Sequence, residues 1–102
     1  MSVTLINAFT VPEDQASAFL EDFQKMAAIF AQAPGFIETH LHRNTGIGDP
    51  TFRFINIAVW ESPEAWKAAI KSAMPGRNGL PGIEAHPALY ELAFSTQAHD
   101  EK

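Results

Sequence analysis

The sequence contains no cysteine. This absence excludes disulfides, thiolate nucleophiles, iron–sulfur clusters and cysteine-ligated zinc together. Positive charge is also scarce, since seven Lys and Arg stand against twelve Asp and Glu and the formal net charge is -5. Because a nucleic-acid surface needs clustered Lys and Arg to displace counterions, we expect no nucleic-acid partner.

Long apolar runs and cofactor-binding motifs are missing as well. No stretch is long enough to span a bilayer, and the first residues lack the basic segment and apolar run of a signal peptide. We therefore expect a cytoplasmic protein without a membrane partner. The sequence has no glycine-rich dinucleotide turn, phosphate loop or nucleophile elbow, so we expect no cofactor.

Alternating apolar patterns predict four strands within a single domain, residues 1–102. The polar residues 96–102 are expected to form a frayed tail. The predicted strands are Val3–Phe9, Phe36–Arg43, Phe52–Trp60 and Ala88–Ser95.

Two segments carry apolar residues at helical spacing. The first helix is predicted to begin with Thr10 as N-cap, because Pro12 and Glu13 follow in the order typical of a first turn, and to end at Pro34-Gly35. The second is predicted to begin at Ser62-Pro63, a hydroxyl N-cap followed by proline. Three glycines and three prolines between residues 75 and 87 predict a loop.

The element order β-α-β-β-α-β predicts a ferredoxin-like α+β fold, a four-stranded antiparallel sheet with two helices on one face. Two helices cover only one face, whereas apolar residues are predicted on both. A monomer rarely exposes so large an apolar patch, so a second copy is expected to cover it in a homodimer. The residues assigned to this second face are Ile6, Ile37, Leu41, Ile55, Ile57 and Val59.

The third strand is predicted to turn Phe54, Asn56 and Trp60 toward the helices. A buried amide costs free energy unless it is hydrogen-bonded. Asn56 is therefore either paired with backbone or buried water, with Trp60 as plain core, or it is the polar group of a ligand pocket. Asn7 on the first strand is a second amide in similar surroundings, and amides among aromatic side chains suit a flat aromatic ligand.

The histidines are candidates for metal binding or acid–base chemistry. His40 and His42 share one strand face with Glu38, but so short a motif is poorly specific, and we predict exposed strand residues and no metal site. His86 is either a base above a pocket or a loop residue. His99 lies in the tail and is expected to be inert.

Three blocks of the sequence carry a family resemblance. They are Asn7–Glu13, Ala33–Arg43, and Phe52–Ser62 with the following Glu64-Ala65-Trp66. Together they resemble the antibiotic biosynthesis monooxygenase family, whose members are dimeric α+β barrels. The resemblance covers nearly the whole chain from Val3 to Phe94, and it is more specific for the superfamily than for any one reaction.

The resemblance implies a cofactor-independent monooxygenase that oxidises a phenolic or quinol-type aromatic with O2. Asn56 and Trp60 match the strand Asn and Trp of the family, and Trp66 stands where the family often has Tyr. The implied catalytic residues are Asn56, which would orient or polarise the substrate, and Trp60 and Trp66, which would stack on it. Asn7, Phe54 and His86 are the residues that we predict to bind substrate in addition.

Three alternatives stay open at this point. The same barrel serves a non-catalytic small-molecule-binding or stress-response protein equally well. An isomerase or lactonising enzyme would use His40, His42 or His86 as acid or base. The third alternative is haem degradation, because a second branch of the superfamily that this sequence resembles degrades haem with an Asn on the first strand, which Asn7 matches. The second helix has no histidine to bind the iron, so His86 would have to replace it.

Overall fold

The computed structural model describes residues 2–73 and 80–99, which form four strands and two α-helices. A short 3-10 helix, Glu13–Gln15, precedes the first α-helix. The strands are β1 (Val3–Thr10), β2 (Phe36–Arg43), β3 (Phe54–Trp60) and β4 (Glu84–Tyr90), and the helices are α1 (Ala16–Phe30) and α2 (Pro63–Ala73).

The sheet has the order β2-β3-β1-β4, and each pair of neighbouring strands is antiparallel. The predicted ferredoxin-like α+β fold is thus confirmed. The central β1–β3 ladder sets Asn7 directly opposite Asn56. Two more pairs on the same face, Leu5 with Ala58 and Phe9 with Phe54, belong to the buried core.

The buried core consists of two clusters beneath the helices. The first is built on Leu5, Ala58, Trp60 and Ala69. The second joins Phe9, Val11, Phe19 and Phe54. The predicted alternation of β3 is confirmed, because Phe54, Asn56, Ala58 and Trp60 are buried whereas Ile57 on the opposite face is 37% exposed.

An irregularity near the start of β2 changes the predicted side of Leu41. The register shifts between Phe36 and Glu38, so that Leu41 pairs with Asn56 on the helix-facing side. Leu41 packs against the second core cluster, and its assignment to the outer face is wrong. The physical reason is the extra residue, Ile37, which inverts the alternation of the strand that follows.

The two helix starts differ in how well the sequence predicts them. Thr10 is not an N-cap, because it continues β1 and pairs with Glu84. The 3-10 turn intervenes, and Gln15 at the N-cap position of α1 makes no side-chain capping bond. The second start is confirmed, since Ser62 Oγ accepts the backbone N–H of Ala65 at 3.1 Å.

Strand β4 begins four residues earlier than predicted. Residues 84–87, assigned to the loop, pair with the end of β1, whereas Leu92 and Phe94 are 81% and 80% exposed. An edge strand tolerates Pro87 because only one side of it needs ladder donors. Residues 75–79 of the predicted loop lie outside the described residues, as do residues 100–102 of the predicted tail. Over the described ranges, no helix combines the length and apolar character needed to cross a bilayer.

Candidate active site

A cavity of about 410 Å³ lies between the helix-facing side of the sheet and the two helices. Its lining is dominated by aromatic rings from both layers, and we call it the aromatic cavity. Because strand residues alternate between faces, the odd-numbered positions of β1 and the even-numbered positions of β3 supply its floor. The aromatic residues that line it are Phe9, Phe19, Phe23, Phe30, Phe36, Trp60 and Trp66.

Asn56 is the buried polar residue at the centre of the floor. Its side chain is 6% exposed, and its Oδ1 accepts a hydrogen bond from Thr39 Oγ1 at 2.5 Å. Thr39 pairs with Ala58 in the β2–β3 ladder, so it stands diagonally across from Asn56. The carboxamide oxygen is therefore satisfied by a neighbouring strand, as a buried polar atom requires.

Trp60 is held edge-on by two phenylalanines. The ring centroids of Phe30 and Phe36 lie 5.9 Å and 5.2 Å from the indole, both at an interplanar angle of 82°. The indole Nε1 is buried and finds no hydrogen-bond partner among the residues that the structure describes. An unsatisfied buried donor costs about 1–3 kcal/mol, and native structures contain few of them. Trp60 is therefore a core residue whose N–H is left without a described partner.

The other predicted polar residue, Asn7, also lines the aromatic cavity. Its Oδ1 accepts the backbone N–H of His86 at 3.0 Å, which ties the central strand to the edge strand. Trp66 reaches the cavity from α2, where it packs beside the core cluster of Trp60. The structure thus brings Asn7, Asn56, Trp60 and Trp66 together around one cavity.

Phe54 and His86, the other two residues predicted to bind substrate, are not among the described lining residues of the aromatic cavity. Phe54 is 2% exposed and stacks on Phe19 with centroids 4.8 Å apart, behind the described lining of the cavity. The imidazole of His86 lies on the opposite face of the sheet, because Ala85 and Pro87 on either side of it line the cavity. Phe52 precedes β3, and the centroid of its ring lies 5.6 Å from the centroid of that imidazole.

Two polar residues of the cavity were not predicted. Thr39 was missed because the register shift of β2 is invisible in an apolar pattern. Asp22 lines the cavity from α1 and is the one titratable side chain in its described lining. A signal existed for Asp22, because it lies between Phe19 and Phe23 and one turn before Met26, on the margin of the apolar stripe.

The remaining histidines lie on the outer face of the sheet. His40 Nε2 is 3.8 Å from Glu38 Oε2, and both side chains are largely exposed. Within residues 2–73 and 80–99, no three His, Asp or Glu side chains are grouped as a metal site requires.

Comparison with known proteins assigns the chain to a family. The model of the family described as antibiotic biosynthesis monooxygenase matches residues 2–74. The chain belongs to the antibiotic biosynthesis monooxygenase family. The matched range contains Asn7, Asp22, Thr39, Asn56, Trp60 and Trp66 but not His86.

Similar proteins include oxygenases. Deoxynogalonate monooxygenase of Streptomyces nogalater is 39% identical over 74 residues, which are 72% of this chain and 58% of that protein. The match thus spans less than two-thirds of this relative's length. A protein of Shewanella loihica PV-4, suggested to be a monooxygenase, has a similar structure with a TM-score of 0.79 and 33% identity over 92% of this chain and 96% of that one.

Two further solved structures differ in chemistry. SnoaB, a cofactor-independent oxygenase of Streptomyces nogalater, has a TM-score of 0.69 at 28% identity, over 92% of this chain and 95% of that one. The haem degrader MhuD of Mycobacterium tuberculosis was solved with two haems in its active site. It has a TM-score of 0.71 at 25% identity, over 93% of this chain and 99% of that one. The shared fold alone therefore does not choose between the two chemistries.

Proposed function

We propose that this protein is a cofactor-independent monooxygenase that oxidises a small phenolic or quinol-type aromatic with O2. The observation that carries the proposal is an aromatic cavity whose floor holds two carboxamides beside the buried indole of Trp60, whose N–H has no partner among the described residues. Family membership and the likeness to SnoaB support it.

The size and lining of the cavity favour a flat substrate. Seven aromatic side chains surround about 410 Å³, a volume within the range of small-molecule sites. Aromatic rings pack well on one another in stacked or edge-to-face arrangements, which aliphatic substrates do not exploit. Trp66 on the helix side and Trp60 on the sheet side offer such contacts to one ligand.

The proposed reaction uses the substrate as its own reductant. Deprotonation gives a phenolate or carbanion, which passes one electron to O2, and the two radicals combine to form a carbon–oxygen bond. The resulting peroxide loses water as its O–O bond breaks and the same carbon loses its remaining hydrogen. One oxygen atom becomes the quinone carbonyl, the other leaves as water, and the substrate supplies all four electrons.

The residues of the cavity suit the charge that this reaction develops. Amide and indole N–H groups stabilise a developing oxyanion best in a site that excludes water, because the local dielectric constant is low. Asp22, on the helix side, is the group we assign to accept the substrate proton. Asp22→Asn should lower turnover because an amide does not take up that proton.

Haem degradation is the competing function that the mycobacterial relative favours, and the cavity residues do not fit it. A histidine that binds haem iron is absent from the described lining of the aromatic cavity and from Pro63–Ala73. His86 does not replace it, because its imidazole lies on the other face of the sheet. Haem titration should produce no shift of the Soret band; a saturable shift would favour the haem degraders.

Oxygen uptake with a hydroxylated anthrone or a hydroquinone tests the proposed function. Turnover should fall in Asn56→Ala by about 100-fold, the order seen when one oxyanion donor is removed. Gln24→Ala, a change of an exposed amide on α1, is the matched control and should leave turnover unchanged. Equal turnover in Asn56→Ala would remove Asn56 from the mechanism, and ligand binding without oxygen uptake would identify a non-catalytic binding protein.

A further inference from the structure

Three hydrogen-bonding groups at the floor of the aromatic cavity share a polarity, and Thr39 orients one of them, the carboxamide of Asn56. Asn7 is the clearest case. A backbone N–H only donates, so the bond from His86 N identifies the Asn7 atom that it reaches as the oxygen, Oδ1. The Asn7 carboxamide is thereby left with its NH2 group, a donor, for any other partner.

Asn56 has the same arrangement with a different anchor. Its Oδ1 accepts the Thr39 hydroxyl at 2.5 Å, and no described residue accepts a hydrogen bond from its Nδ2. A hydroxyl both donates and accepts, but a separation of 2.5 Å lies in the range of O–H···O bonds and below that of N–H···O bonds, so it identifies the Asn56 atom on Thr39 as the oxygen. The observed orientation, with the oxygen on Thr39, leaves the donor group to the cavity that both residues line.

The third group is Trp60 Nε1, which carries a proton and has no acceptor function. It is buried and has no partner in the described part of the chain. The floor therefore presents two NH2 groups to the cavity, with the indole N–H buried beside them, while both carboxamide oxygens are already occupied. Such a floor binds an acceptor oxygen and leaves a hydroxyl donor unsatisfied, which costs free energy in a dry site.

We infer that Thr39 is a positioning residue, whose hydroxyl holds the Asn56 carboxamide so that the cavity floor offers only donors and selects a ligand with an ionised phenolic or carbonyl oxygen. This inference rests on the proposed function for its link to turnover. The binding preference itself needs no reaction. Asp22 on α1 is the acidic group that lines the same cavity, and it is the group assigned above to accept the proton that the ligand releases.

Thr39→Val and Thr39→Ser test the inference as a matched pair. Valine keeps the β-branched shape of threonine and removes the hydroxyl, whereas serine keeps the hydroxyl. The probe is a hydroxyanthraquinone, which does not consume O2 and changes colour when its phenol ionises. In the wild type, absorbance titration should show the apparent pKa of the bound probe well below its value in water, because the donor floor stabilises the phenolate.

In Thr39→Val the apparent pKa of the bound probe should return most of the way to its value in water, since the carboxamide is free to flip. In Thr39→Ser it should stay close to the wild-type value. With an oxidisable hydroxyanthrone, kcat should fall about tenfold in Thr39→Val with a smaller change in KM, the pattern of an interaction made chiefly in the transition state. A merely structural role would change the melting temperature without separating the valine and serine variants.

The outcomes separate this inference from the proposed function. A wild-type protein that ionises the hydroxyanthraquinone probe but consumes no O2 with the hydroxyanthrone would overturn the monooxygenase proposal and support the donor floor. The role of Thr39 alone would be overturned by a different result. In that case Asn56→Ala would lose oxygen uptake, whereas Thr39→Val would keep both the oxygen uptake and the apparent pKa of the bound probe at their wild-type values. A wild type that binds the neutral probe more tightly than the ionised one would overturn the donor floor.

Discussion

Asn7 lies directly opposite Asn56 in the ladder between β1 and β3, and both side chains enter the same cavity. Directly opposed residues of antiparallel strands have their Cβ atoms about 4.5–5.5 Å apart. Two carboxamides at that spacing reach a single oxygen atom of a bound ligand. They are therefore expected to act as a unit.

A double-mutant cycle measures this cooperation. Asn7→Ala and Asn56→Ala should each slow the oxidation of a hydroxyanthrone, and the double variant should be less impaired than the two single effects multiplied. A coupling of about 0.5–3 kcal/mol in the activation free energy is expected for residues that share a partner. Strictly multiplicative effects on kcat/KM would mean that the two amides hold different parts of the substrate.

Trp60→Phe separates the hydrogen-bonding role of the indole from its packing. Phenylalanine keeps an aromatic ring between Phe30 and Phe36 and removes the buried N–H that has no described partner. Lost packing and relief of the unsatisfied donor oppose each other, so the free energy of unfolding should change by no more than about 1–2 kcal/mol. Turnover should nevertheless fall by about tenfold or more.

The matched control for this substitution is Trp66→Phe. Trp66 is assigned a stacking role, which a phenylalanine ring retains, so its oxygen uptake should stay within about threefold of the wild type, a difference below 1 kcal/mol in activation free energy. Equal losses in the two variants would show that ring size, and not the N–H of residue 60, limits the reaction. Unfolding by urea supplies the stability comparison.

The sequence predicts the frame of the site better than its details. Strand β2 and the start of α2 at Pro63 agree with the patterns, because alternation and a Ser-Pro helix start are local signals. Thr39 was not predicted, since one bulged residue inverts the faces of the strand that follows and no local signal marks it. His86 was misplaced because proline at position 87 suggested a loop where an edge strand runs.

The partner of the outer sheet face is testable in solution. No helix of the described residues covers this face, and Ile57 at its centre is 37% exposed. We propose that a second copy of the chain covers it, because symmetric dimers commonly bury such faces. Ile57→Lys should then shift light-scattering masses from dimer to monomer.

Ile47→Lys is the control for that experiment. Ile47 is 88% exposed in the connection between β2 and β3, away from the centre of the outer face. Its replacement should leave the mass unchanged across a dilution series. A wild-type protein that is monomeric at low micromolar concentration would contradict the dimer.

Gly35 joins α1 to β2 and fixes the position of α2 as well. It has a φ of +87°, and a Cβ built on it would lie 2.5 Å from the Cβ of Ala65. Gly35→Ala therefore meets two separate costs, backbone strain and a steric clash with α2. We expect it to lower the free energy of unfolding by about 2–5 kcal/mol, the sum of left-handed strain and overpacking.

Gly46→Ala isolates the first of these costs. Gly46 has the same φ of +87°, but a Cβ there meets nothing within 4 Å. Gly46→Ala should lower the free energy of unfolding by only about 1–2 kcal/mol, and the difference between the two variants measures the clash with Ala65.

Because Trp66 follows Ala65 on α2, a helix displaced by that clash moves an indole that lines the aromatic cavity. Gly35→Ala should therefore also reduce oxygen uptake at temperatures where it is fully folded, whereas Gly46→Ala should not; equal turnover in both would mean that the cavity tolerates a shift of α2.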